Sequence, residues 1–153
     1  MSDIEREAQR AFALRLLARR EQSRLELIQR LIKRGCDIDM AEALLDELAE
    51  AGWQSDQRFA EHYFQVRMNA GFGPLRIRAE LQQRGIARAT IDALNDDPVN
   101  DWQARLEQLY HKKYHDSAPD TQQERAKRSR FLSQRGFSPE QIRRLESHIQ
   151  PFT

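Results

Sequence analysis

An all-α fold built of three tandem three-helix repeats is what the sequence predicts, and three observations carry that prediction. Apolar residues recur at helical spacing along most of the chain, while no long alternating run of Val, Ile and Thr reads as a strand. The five prolines and six glycines fall between the helical stretches and not inside them. Finally, Arg34-Gly35, Arg84-Gly85 and Arg135-Gly136 stand 50 and 51 residues apart, and Leu31, Leu81 and Leu132 each precede the glycine by four. Behind two of those glycines the match continues through Ile86 and Phe137, Ile91 and Ile142, and Leu94 and Leu145. Self-similarity at this period is the mark of a repeat array, whose stacked units share apolar faces. The expected shape is elongated and gently curved, with one domain over residues 1–153 and repeats at about 3–52, 55–97 and 100–150.

Each element has a local reason. Ser2 and Glu5 have capping-box spacing, so a first helix over about 3–20 buries a stripe of Ile4, Ala8, Ala11, Phe12 and Leu16. Ser23 with Glu26 opens the second, which buries Leu27, Ile28, Leu31 and Ile32 and stops at Gly35. Asp39 with Glu42 is expected to open the third, which buries Ala41, Leu44, Leu45 and Leu48 and ends at Gly52. The loop behind Gly35 then seats extra residues, so the third helix of this copy is not expected to align with its counterparts.

Ser55 caps a helix that carries Phe59, Tyr63 and Val66 and ends near Gly71. Pro74 suits a first helical position, where its missing N–H costs nothing; Leu75, Ile77 and Leu81 then face inward, and Arg76, Glu80 and Arg84 stand outside. A short helix from about Arg88 is broken at Asn95-Asp96-Asp97-Pro98, and another runs from Asn100 to Tyr114. Asp120 with Gln123 is expected to start a helix to Gly136, and Ser138-Pro139 the last one, with Ile142, Leu145 and Ile149 inside. Glycine just past a helix end accepts a positive φ at no Cβ cost, and the arginine before it suits the negative helix terminus.

Composition excludes several classes. With 25 Lys+Arg against 24 Asp+Glu and no apolar run near the ~20 residues of a membrane span, a membrane protein is not expected. The start, Met1-Ser2-Asp3-Ile4-Glu5-Arg6, lacks a secretory pattern, so the expected location is the cytoplasm. The single Cys36 excludes a disulfide framework and a cysteine-based metal site, and reads as a small buried hydrophobe. No catalytic constellation is found, and neither a metal nor a cofactor is expected. His111 and His115 stand four apart without a third ligand, and Gly71-Phe72-Gly73-Pro74 follows a helix where a phosphate loop would follow a strand. Trp53, Phe59, Phe72, Trp102, Tyr110 and Tyr114 are expected mostly in the core, with Phe72 the most exposed.

What remains is charge. Residues 125–135 hold Arg125, Lys127, Arg128, Arg130 and Arg135 and no acid. Arg76, Arg78 and Arg84 lie on one helix, and Lys127, Arg128 and Arg130 on its equivalent one repeat later, so like charge recurs on stacked units. Such a stripe suits an extended anionic partner better than a small ligand. These six residues are the candidate contacts for a filament or a nucleic-acid backbone. A sequence-nonspecific DNA-binding protein and a protein adaptor are the two other readings open at this point.

The run Gly71-Phe72-Gly73-Pro74-Leu75-Arg76-Ile77-Arg78-Ala79-Glu80-Leu81, followed by Arg84-Gly85-Ile86, resembles the central signature of the RecX family of bacterial recombinase regulators. Gly52-Trp53-Gln54-Ser55-Asp56-Gln57-Arg58-Phe59-Ala60 is similar to the family's glycine–aromatic turn leading to Asp-x-x-Phe-Ala, and Arg130 to Phe137 to its third repeat. The resemblance runs from roughly residue 10 to 147. Gly35, Gly52, Asp56, Phe59, Gly71, Gly73, Pro74, Ile77, Leu81, Gly85 and Gly136 make up the structural motif. Gln54 stands where the family usually has leucine, which is expected to weaken one turn contact. The resemblance implies a non-enzymatic modulator of the RecA recombinase, binding the RecA filament on single-stranded DNA in its groove. It further implies lowered ATP hydrolysis and strand exchange, limited filament growth, and a weak direct DNA contact in some members. A monomer is expected.

Overall fold

The computed structural model describes residues 2–149, so the Gln150 end of the third expected repeat lies outside the described residues. The helices run α1 Asp3–Arg19, α2 Arg24–Lys33, α3 Ile38–Glu50, α4 Asp56–Asn69, α5 Pro74–Gln83, α6 Arg88–Asn95, α7 Trp102–Tyr114, α8 Gln122–Arg135 and α9 Pro139–Ser147, with a 3-10 turn at Pro98–Asn100. The fold is all-α, three tandem three-helix repeats. The residues pack as two compact units, Met1–Tyr63 with Leu81–Ile91, and Phe64–Glu80 with Asp92–Thr153.

The helix ends explain the spacing of the repeats. Gly35, Gly85 and Gly136 have φ of +97°, +79° and +105°. In each copy the N–H after the glycine donates back to the leucine four residues before it: Cys36 to Leu31 O at 3.1 Å, Ile86 to Leu81 O at 3.1 Å and Phe137 to Leu132 O at 3.3 Å. The turn closes two orphan carbonyls of the helix end, and the residue that closes it is buried in all three copies.

Several sequence expectations are corrected here. The third helix is capped by Asp37, whose side chain accepts from Met40 N, and not by Asp39. Its first residue, Ile38, therefore stands three after the glycine, as Arg88 and Pro139 do, so the first repeat carries no extra loop residues. Cys36 fills the place of Ile86 and Phe137, Ala41 that of Ile91 and Ile142. Similarly α8 is capped by Thr121, which accepts from Glu124 N at 3.0 Å, and not by Asp120. Ile4, Ile32, Val66 and Leu75 are exposed, because the buried stripes are rotated about their helices: Ala13 and Leu16 on α1, and Phe59, Ala60, Phe64 and Met68 on α4. Trp53, 56% exposed, is the open aromatic, and not Phe72.

In the first unit Ala13, Leu16, Leu27, Leu31, Cys36, Ala41, Leu45 and Leu48 form one cluster. Here Gln54 is buried and its amide donates to Gln22 O at 3.2 Å and Asp56 Oδ1 at 3.0 Å. The expected weakening of that turn is replaced by polar contacts. Asp56 Oδ1 also accepts from Arg24 N at 2.8 Å, so the motif aspartate at the start of α4 caps α2. In the second unit Leu106, Tyr110, Leu132, Phe137, Ile142 and Leu145 form a cluster, with Trp102, Leu109, Tyr114, Phe131 and Ile149 against it.

Candidate functional site

Gly71-Phe72-Gly73-Pro74 links α4 to α5, and its chemistry comes from what its backbone touches. Gly73 N–H donates to Arg135 O at 2.8 Å and Leu75 N–H to Gly136 O at 2.9 Å, so the start of α5 closes the end of α8. Pro74, which has no N–H, stands between the two donors. A Cβ on Gly73 would sit 2.6 Å from the Gly136 carbonyl, and one on Gly136 2.4 Å from Arg76 Cβ. Both glycines are therefore required by close approach of two backbones, and Gly136 by its φ as well.

The same approach gathers three guanidinium groups about one ring. Cζ of Arg67, Arg76 and Arg135 lie 3.8, 4.5 and 4.5 Å from the Phe72 ring centroid. Glu80 takes Arg67 in a bidentate pair at 2.9 and 2.8 Å and Arg76 at 3.3 Å. Arg76 further donates to Gln134 O at 3.1 Å and Arg135 to Ala70 O at 3.3 Å. Two of the three cations share one carboxylate and the third, Arg135, meets only a carbonyl, which leaves a local excess of positive charge. A guanidinium this close to an aromatic face is attracted by the ring while its N–H groups remain available as donors. Behind Phe72 a cavity of about 230 Å³ is lined by Met68–Phe72, Arg105, Gln108, Leu109, Lys112 and Phe137, with no acid in the lining.

The six candidate cations do not form one set. Arg76 belongs to the cluster just described. Arg78 pairs with Asp92 at 2.7 Å. Arg84 lies over the Tyr63 ring at 4.6 Å and helps to hold Glu26 ionised. Lys127 and Arg130 are exposed and make no ion pair or hydrogen bond among the described residues.

Arg128 is the clear correction. It is only 8% exposed, and its guanidinium donates to the Tyr110 hydroxyl at 2.8 Å, Ser117 O at 2.7 Å and Glu124 Oε1 at 3.1 Å, above the Tyr114 ring at 4.3 Å. Although burial opposes its charge, Tyr110 and Glu124 favour it and raise its pKa. The residue ties α8 to the end of α7, and its guanidinium is engaged inside the unit. Two cluster members, Arg67 and Arg135, were not among the sequence candidates. In the sequence Arg135 stands out only as a helix-end charge and as part of the basic stretch 125–135, and Arg67 lies 13 residues from the glutamate it meets.

His111 Nδ1 meets Asp116 at 3.3 Å, and no group of three or more His, Cys, Asp or Glu among the described residues is placed to hold a metal ion. Burial, with Asp37 beside it, pushes the Cys36 thiol up, which keeps it a poor nucleophile. No helix among the described residues is long and apolar enough to cross a membrane.

Known proteins share this architecture. A crystal structure of RecX from Lactobacillus salivarius superposes with a TM-score of 0.80 at 20% identity, covering 97% of this chain and 98% of that one. A second structure, of a regulatory protein RecX, gives 0.74 at 21% identity over 95% of this chain and 75% of the other. Curated relatives described as regulatory protein RecX are 46% identical over 140 residues in Pseudomonas entomophila and 48% over 141 in Pseudomonas fluorescens SBW25, each covering 92% of this chain and 90% of the relative. Models of the first, second and third three-helix domains of RecX match residues 10–48, 55–94 and 100–145, and with all three helical units matched in order the chain belongs to the RecX family of regulatory proteins.

Proposed function

We propose that the chain is a non-enzymatic modulator of the RecA recombinase, acting as a monomer in the cytoplasm through the whole of residues 1–153. It binds the RecA filament on single-stranded DNA in the filament groove, lowers ATP hydrolysis and strand exchange, and limits filament growth. Recombination, DNA repair and the SOS response are thereby restrained. Family membership supports the class of function. The observation that carries the choice of contact residues is the contrast between engaged and open cations.

Arg78 and Arg128 would have to break internal pairs to meet a partner, and a buried guanidinium leaves unpaired groups behind when it moves. Lys127 and Arg130 lose only hydration, and Arg76 keeps an exposed edge beside Phe72. Arg76, Lys127 and Arg130 therefore meet acidic filament surface or phosphate, steering encounter more than fixing affinity. Such binding weakens as salt rises.

The test is RecA's DNA-dependent ATP hydrolysis titrated with the purified chain. Hydrolysis should fall at concentrations where the chain scarcely binds DNA alone, and Lys127→Glu with Arg130→Glu should shift the inhibition curve by about tenfold. The circular dichroism melt should not move, since both side chains are exposed. Rescue of hydrolysis by excess DNA alone would favour the plain DNA-binding reading, and unaltered hydrolysis at saturation would defeat the proposal.

A further inference from the structure

Within the second unit, the junction of α6 and α7 has the opposite character to the cluster around Phe72. A cavity of about 450 Å³ there is lined by Asn95, Asp96, Asp97, Asp101, Trp102 and Gln103. None of the three aspartates makes an ion pair among the described residues. Asp97 and Asp101 each use one oxygen as a cap, accepting from Val99 N at 3.0 Å and Ala104 N at 3.2 Å. An amide oxygen caps as well as a carboxylate, so the charges themselves are not needed for these turns. Arg144 also borders the cavity, but it is paired with Glu140 at 3.5 Å, and negative charge prevails in the lining.

Aspartates at a helix junction are ordinary by themselves; the amides among them are not. Asn95 is 6% exposed, and its Oδ1 is buried without a donor, as is Gln103 Oε1. The nitrogen ends are already placed, Asn95 Nδ2 on Pro74 O and Gln103 Nε2 on Gln141 O, each at 3.2 Å. Turning either amide over would set its oxygen against a carbonyl oxygen, so an acceptor is what each residue has left to offer. Buried acceptors without donors are costly, and two of them on one acidic cavity call for a donor that carries positive charge.

We propose that this cavity receives the guanidinium group of an arginine presented by another protein. A guanidinium brings charge to the carboxylates, a fork of N–H donors to the two amide oxygens, and a flat face to the Trp102 ring. An ammonium group has fewer donors and no such face. A metal ion does not suit the site, since no group of three or more His, Cys, Asp or Glu among the described residues is placed to hold one. Phosphate is repelled by the same carboxylates, so nucleic acid does not enter. Under the reading above the arginine therefore belongs to a RecA protomer of the filament and not to its DNA. The inference rests on that reading for the partner's identity and not for the cavity.

The first test needs no partner. Acetyl-arginine amide is titrated into the full chain at constant ionic strength, and the indole N–H signal of Trp102, which donates to Asn95 O at 3.0 Å, is followed by NMR. Trp53→Phe assigns the signal, because the chain has two tryptophans. A saturable shift is expected, with acetyl-lysine amide binding more weakly. Asp96→Asn with Asp97→Asn and Asp101→Asn keeps the capping oxygens and removes the charge; affinity should fall about tenfold, with the melting temperature unchanged. No saturable shift, equal affinity for the lysine amide, or equal affinity of the triple variant each overturns the inference. Should the triple variant melt early, Asp96→Asn alone decides, since that side chain makes no hydrogen bond or ion pair among the described residues: weaker binding supports the cavity and unchanged binding overturns it. Co-sedimentation with RecA filaments on single-stranded DNA reads the partner. The triple variant should pellet less than the unsubstituted chain, and equal pelleting overturns the assignment to RecA. Self-association of the chain alone, abolished in the variant, would place the arginine on a second copy and overturn that assignment too. Failure of the unsubstituted chain to pellet defeats the filament reading, while the arginine titration still judges the cavity.

Discussion

The turns at Gly85 and Gly136 are the same backbone device, but they are held by different chemistry. In the first unit, α2 meets the Gly85 turn through a side chain, Leu25, while its own N–H groups go elsewhere: Arg24 N to Asp56, and Glu26 N to Ser23 Oγ in a capping box. In the second unit the start of α5 is joined to the Gly136 turn backbone to backbone. The first joint depends on carboxylates, the second on the absence of side-chain atoms. A joint made of carboxylates can be tuned by pH and by capping substitutions; one made of bare backbone tolerates neither bulk nor shift.

The sharpest way to break the comparison is to add one methyl group. Gly73→Ala puts a Cβ 2.6 Å from the carbonyl carbon and oxygen of Gly136 and 2.8 Å from Phe137 N, all backbone atoms that cannot turn aside. The expected loss is about 3 kcal/mol, at the upper end for overpacking. Gly35→Ala, by contrast, enters open space and carries only the left-handed penalty of about 1 kcal/mol. Thermal melts of the two variants side by side check the difference; equal losses would mean that the Gly73–Gly136 approach is not what holds the second joint.

Asp56 tests the other side. Asp56→Ala removes the acceptor for Arg24 N and for the buried Gln54 amide, and should cost about 1–2 kcal/mol, in the range of lost helix caps. Asp56→Asn keeps an acceptor oxygen and should recover most of it. If alanine melts with the unsubstituted chain, the cap is supplied by water and the first joint rests on Leu25 alone.

How much of this was legible in the sequence follows the same division. The glycines, their leucines and the capping serines fixed the helix ends, because those positions are set by local backbone geometry. Asp37 was missed because Asp39 has an equally good box partner, and only the repeat spacing, three residues past the glycine, separates the two. Arg128 was misread although the repeat register held the answer: it stands where Leu27 and Ile77 stand, and both are fully buried. Composition grouped it with Lys127 and Arg130, and the partners that make its burial tolerable, Tyr110 and Ser117, lie 18 and 11 residues away. The cluster around Phe72 was legible only at Arg76 and Glu80. Arg67 and Arg135 join it through the meeting of two turns, which no local pattern encodes.

The smallest effect concerns protons. Burial pushes the Glu26 carboxyl up, but hydrogen bonds from Arg20 and from Ser23 N, with the charges of Arg20 and Arg84, hold it net below its ordinary value of 4.5. A carboxylate whose folded pKa is depressed binds fewer protons folded than unfolded. Its stabilisation is complete above the ordinary value and is lost as the pH falls through the folded one. The first joint should therefore loosen in acid, whereas the hydrogen bonds of the second, from Gly73 N and Leu75 N to carbonyls, carry no titrating group. Melting temperature followed from pH 7 downward should decline below about 4.5 in the unsubstituted chain, and Glu26→Gln should flatten that limb while lowering the plateau at neutral pH slightly. An acid limb unaltered by the substitution would remove Glu26 from the comparison, leaving the Asp56 cap as the polar contact on which the first joint depends.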